Sequence, residues 1–118
     1  MKYPNTGMYN YCESLFQYFS QDTDLDCFFY AHPKTTIPSD KKLEIKPLDS
    51  FRLKAPKEIA LWHTTSQLSD RIPISPVKLV FTIHDLNFLY GNKPQWQQDR
   101  HLRQIPQGIN RAAFVASI

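Results

Sequence analysis

Three apolar runs in this chain end on a histidine: CFFYAH at His32, IALWH at His63 and KLVFTIH at His84. An imidazole titrates near neutral pH, bonds through either ring nitrogen and can ligate a metal, so its place at the end of a buried segment bears on chemistry. His63 is followed by Thr64, Thr65, Ser66 and Gln67, and His84 by Asp85 and Asn87. Such hydrogen-bonding groups suit a polyhydroxylated ligand. A plainer reading stands beside this one: strand ends meet solvent, and a polar residue there needs no function. It is strongest for His32, next to Pro33, and weakest for His84-Asp85, which has apolar residues on both sides. A third reading, a metal site of His63, His84 and Asp85 as in metal-dependent hydrolases, needs three ligands within about 2.0–2.2 Å of one ion. No HExxH or comparable spacing supports it.

The elements around these residues follow from periodicity. Met8, Cys12, Leu15, Phe16 and Phe19 recur at helical spacing, which predicts an amphipathic helix over 8–20. Asn5 or Thr6 could cap it. Buried strands are expected at Asp26–His32, at Glu58–Ser66 and, most clearly, at KLVFTIH. The segment 33–56 is rich in Lys, Pro, Ser and Asp and reads as a surface excursion, with weak strand signals at Leu43–Ile45 and Phe51–Leu53. Beyond Tyr90–Pro94 a polar helix, WQQDRHLRQIPQGINRA, carries a stripe of Leu102, Ile105 and Ile109 expected to be buried. Pro106 lies inside it and predicts a kink or break, because proline lacks the N–H and crowds the carbonyl four residues back. AAFVASI reads as a last strand. Continuous rather than alternating apolar strands indicate a sheet covered on both faces, hence largely parallel. The class is α/β, and in a parallel sheet the three histidines would share the carboxyl edge where open α/β sheets bind ligands.

Composition narrows the field. At 118 residues the chain has the length of one domain, and 42% hydrophobic content favours a packed core. The net charge of +3 is mildly basic, and Lys and Arg are scattered without an aromatic-basic stripe, so nucleic acid is not an expected partner. No apolar stretch approaches the roughly 20 residues of a membrane span, and the first residues do not open a signal peptide. A cytoplasmic chain is expected. Cys12 and Cys27 have no CxxC or Cys/His spacing and read as core thiols. With glycine only at 7, 91 and 108 there is no GxGxxG or P-loop, and no GxSxG elbow is present.

Four blocks, YPNTGMYNYCESL, IALWHTTSQLS, KLVFTIHDLNFLY and INRAAFVASI, resemble in order and spacing the N-terminal half of a retaining GT-B glycosyltransferase. The likeness is to the bacterial group-1 (family 4) enzymes that build capsule, O-antigen or exopolysaccharide. TIHDLNFLY is the most specific block, and 33–56 matches nothing in particular. The resemblance implies a Rossmann-like, mostly parallel sheet flanked by helices, facing a second such domain across a cleft. It implies a nucleotide-sugar donor, a saccharide or lipid-linked acceptor, no metal and no other cofactor, and peripheral contact with the inner face of the membrane. Thr6 and Gly7 would approach the donor phosphates. His84 would reach the transferred sugar with Asp85 beside it, and His63, Thr64 and Asn87 would line the acceptor side. The family has a strand before the NTG loop and a C-terminal domain after this region. Residues 1–118 are therefore expected to be a partial domain lacking its first strand, inactive alone and prone to self-association through exposed sheet edges. A non-catalytic half-domain that binds saccharide or protein is the alternative.

Overall fold

The structure is a computed structural model that describes residues 7–69, 71–86 and 89–118, with position 50 described as backbone only. The chain is α/β, with two small parallel sheets flanked by helices. It divides into two compact units, Met1–Pro47 and Leu48–Ile118, each described by itself below.

Among the described residues, the first element of the first unit is α1 (Gly7–Ser20), where the expected amphipathic helix lies. Its apolar side buries Cys12, and Phe16 meets Phe29 edge to face with ring centroids 5.3 Å apart. That contact sets α1 against β1 (Phe29–Ala31), which pairs in parallel with β2 (Lys42–Glu44). The ladder continues where Ile45 N–H donates to Ala31 O at 2.9 Å. A two-stranded sheet is marginal in water, so the helix against it matters to its stability. The strand expected over Asp26–His32 is thus cut to three residues. Asp26 instead bonds the Lys41 ammonium, and Lys41 also lies over the Phe28 ring. Of the two expected core thiols Cys12 is buried and Cys27 only half-buried, though burial still pushes the Cys27 thiol above its ordinary range.

The second unit holds a three-stranded parallel sheet of order β3-β4-β5, formed by Leu61–Thr64, Lys78–Ile83 and Phe114–Ser117. The central strand β4 is the apolar run singled out in the sequence. Between β4 and β5 runs α3 (Gln95–Arg111), so these elements make a βαβ unit. Register places Trp62 opposite Leu79 and Thr64 opposite Phe81 on one face, with His63, Val80 and Thr82 on the other. Trp62, Leu79, Phe81 and Ile105 form the core together with Leu53. Gly108 brings α3 onto the first face: a Cβ there would sit inside the Phe81 ring's van der Waals envelope.

Several expectations change here. Phe51–Leu53 is not a strand; Asp49–Arg52 forms a short helix, α2, and Leu53 follows it in extended backbone. Bonds from Ile74 N–H to Leu53 O (2.8 Å) and from Ala55 N–H to Ser75 Oγ (2.9 Å) hold that extended segment. Leu53 is buried, which explains the apolar signal without a strand. In segment 33–56 the one strand, β2, lies at the Leu43–Ile45 signal as expected, and a 3-10 turn (Ser39–Lys41) and α2 add short helical order to it. Helix α3 passes through Pro106 without a break. Pro106 and Leu102, whose carbonyl loses its helical donor to the proline, lie on the exposed side, where water can replace the missing N–H. The buried stripe is Ile105 and Gly108, while Leu102 and Ile109 are exposed. Contact with Phe81 selects the side carrying glycine because only there can the helix come close enough to cover the ring. No helix among the described residues is long and apolar enough to cross a membrane.

Candidate functional site

The three histidines do not share one sheet. His32 follows β1 in the first unit, is exposed, and takes part in a turn: its Nδ1 accepts from Lys34 N–H at 3.2 Å and its carbonyl from Thr35 N–H at 2.9 Å. These bonds account for it locally. His63 and His84 lie on neighbouring strands of the second unit's sheet, close enough that charge on His84 disfavours charge on His63.

His63 lies inside β3, one residue before the strand ends, rather than at its tip. Its Nε2 meets the Oγ1 of Thr82 at 2.7 Å. Thr82 is fully buried and His63 half-buried. Desolvation, with the nearby His84 second, lowers the His63 pKa below the ordinary value, so the ring is neutral at pH 7.

His84 is the first residue after β4, at the carboxyl edge of the sheet. Its Nε2 lies 2.7 Å from the carbonyl oxygen of Thr65. A carbonyl only accepts, so the proton is on Nε2, and in the neutral ring Nδ1 carries the lone pair. The backbone is held too: His84 N–H donates to Gln67 Oε1 at 3.1 Å, and Gln67 Nε2 donates to the carbonyl of Asp85 at 2.5 Å. Gln67 is buried, and Asp85 is exposed. Ser66 places Gln67, because Ser69 N–H closes a turn on Ser66 O at 3.1 Å and Leu68 N–H bonds Ser66 Oγ at 3.2 Å.

Thr64 is 3% exposed, on the face opposite His63, and its hydroxyl finds no hydrogen-bond partner among the described residues. Gly7 is the first residue of α1; nothing comes within 4 Å of a Cβ built there, so no neighbour among the described residues demands glycine. Thr6 and Asn87 lie outside the described residues. Among those described, no three His, Cys, Asp or Glu side chains group as metal ligands.

A shallow hollow of about 280 Å³ also lies in this unit, lined by Ser69, Ile72, Gln104, Gln107, Gly108 and Arg111. It includes neither histidine. The pair is the better candidate because its groups are held by hydrogen bonds near the carboxyl end of the sheet, where parallel sheets bind ligands, whereas the hollow is open.

Sequence reasoning overlooked Thr82 and underweighted Gln67. The signal for Thr82 was a hydroxyl amid the apolar run LVFTI; Gln67 stood in view among the polar residues after His63. Comparison of the chain with protein-family models, with curated proteins and with solved structures finds no match.

Proposed function

We propose that this chain is the acceptor-side, Rossmann-like half of a retaining GT-B glycosyltransferase. The reaction would move a sugar from a nucleotide-sugar to a saccharide or lipid-linked acceptor of a surface polysaccharide. On this reading His84 would reach the transferred sugar with Asp85 beside it, and His63 would lie on the acceptor side, whereas Thr64, buried on the opposite face, would support the strand.

The observation that carries this reading is the nearness of His63, one residue inside the carboxyl end of β3, to His84 at the carboxyl edge beside it, with the His84 Nε2 on the Thr65 carbonyl. Imidazole rings can donate to and accept from sugar hydroxyls, which suits such a ligand. Charge stabilisation in the transition state would fall to basic groups of the donor-side domain.

Two measurements test the proposal. In a protein carrying both domains, His84→Ala is expected to lower transfer by about 10²–10³-fold, the scale for loss of one transition-state contact; near-normal turnover removes His84 from the site. In the 118-residue chain, titration with oligosaccharides should move the ring NMR signals of His63 and His84. Saccharide binding with no transfer by the two-domain protein would make the chain a binding module instead.

A further inference from the structure

We propose that Gln67 is the positioning residue of the histidine site: its side-chain carboxamide sets the backbone at His84 and Asp85 and so aims the His84 ring. The functional meaning rests on the reading of the preceding section, while the geometry can be tested apart from it.

The last ladder bond at the β4 edge runs from Ile118 N–H to Ile83 O. His84 follows directly, and its N–H is taken by Gln67 Oε1 at 3.1 Å. On the same carboxamide, Nε2 donates to the next carbonyl, that of Asp85. Thr65, two residues before Gln67, accepts from the His84 ring at 2.7 Å. One short loop after β3 therefore grips His84 by ring and by backbone. Gln67 is 5% exposed, so water competes little for these bonds.

The residue type is restricted by this geometry. Acceptor and donor must sit on one planar group at the reach of two methylenes. Glutamate keeps the acceptor but loses the donor, asparagine is one methylene short, and methionine fills the space with neither. A residue that merely packed would tolerate methionine.

The test uses the whole chain and two signals from His84: the ring ¹⁵N pattern that identifies its tautomer, and exchange of its backbone N–H. In the native protein the ring should show the Nε2-protonated form and the amide should be protected, although it lies beyond the strand. Gln67→Met should speed that exchange about tenfold, the worth of one lost hydrogen bond, and mix the ring tautomers. Gln67→Glu should keep amide protection, since its acceptor remains. Gly108→Ala, which strains the sheet through Phe81 but leaves the carboxamide in place, should mix the ring tautomers less than Gln67→Met does and so separates positioning from general loss of stability. A folded Gln67→Met protein with the native ring pattern overturns the proposal. Should that variant fail to fold, an unprotected His84 amide in the native chain overturns it as well. A changed ring pattern with undiminished saccharide binding keeps Gln67 in its role and counts against the sugar site. Native ring signals with normal sugar transfer by a two-domain protein carrying Gln67→Met count against Gln67 alone.

Discussion

His63 on β3 and Thr82 on β4 meet diagonally across the sheet at 2.7 Å, since the residue opposite His63 is Val80. Thr82 is fully buried, so its hydroxyl has no ready access to water. Thr82→Val keeps the shape and removes the hydroxyl, leaving the half-buried ring nitrogen short of a partner. We expect a loss of about 1–3 kcal/mol in urea unfolding, the cost of an unsatisfied buried group. Thr82→Ser should cost less. A larger loss for Ser than for Val would show that packing of the methyl, not the bond, is what matters.

The same burial makes stability depend on pH. The folded pKa of His63 is lowered by desolvation first and by His84 second. The unfolded chain then binds this proton more readily than the folded one, so protonation favours unfolding. The contribution of the neutral ring is complete above the unfolded value, about 6.5, and is lost as pH falls through the folded value. His101 is shifted the same way, by desolvation and then by Lys93 and Arg100, and adds to the effect. The urea midpoint should drop between about pH 7.5 and about pH 5.5. His63→Gln should shrink the drop without abolishing it. A drop of the same size in both proteins would show that His63 does not drive it.

Gly108→Ala sets two effects against each other. Alanine gains up to about 1 kcal/mol in helix propensity. Its methyl, however, must displace the ring of Phe81, which is only 1% exposed. Overpacking of this kind costs about 1–3 kcal/mol, so net destabilisation is expected. Phe81→Leu should make the alanine better tolerated, and a double-mutant cycle would measure that coupling. Strict additivity would mean that helix and sheet do not touch there.

Pro106→Ala should stabilise. The proline lies within a continuous helix and on its exposed side, so no packing is lost with it. Proline in a helix interior costs about 3 kcal/mol against alanine, and its stiffening of the unfolded chain returns about 1. A net gain of about 2 kcal/mol should appear as a higher urea midpoint.

Periodicity in the sequence located the elements that bury one continuous surface. KLVFTIH, the first helix and the last strand all fall where their apolar patterns put them. It failed where a bond between distant residues decides the outcome. Phe51–Leu53 reads as strand-like, yet Leu53 owes its burial to extended backbone bonded to Ile74. The stripe on α3 was read from its large apolar residues, whereas the side that packs is the one carrying Gly108, the residue with least to show in a hydrophobicity pattern. At the site, the types and order of His63 and His84 were legible. Their anchors, Thr65 O, Thr82 Oγ1 and the Gln67 carboxamide, were not, because each joins groups at least 17 residues apart in the chain.

The near-contact between Gly108 and Phe81 also constrains divergence. As sequences related to this one drift, a side chain gained at position 108 should be accompanied by a smaller residue at 81. The two sites are thus expected to vary as a coupled pair, and a collection of such sequences would carry the record of this helix lying on this strand.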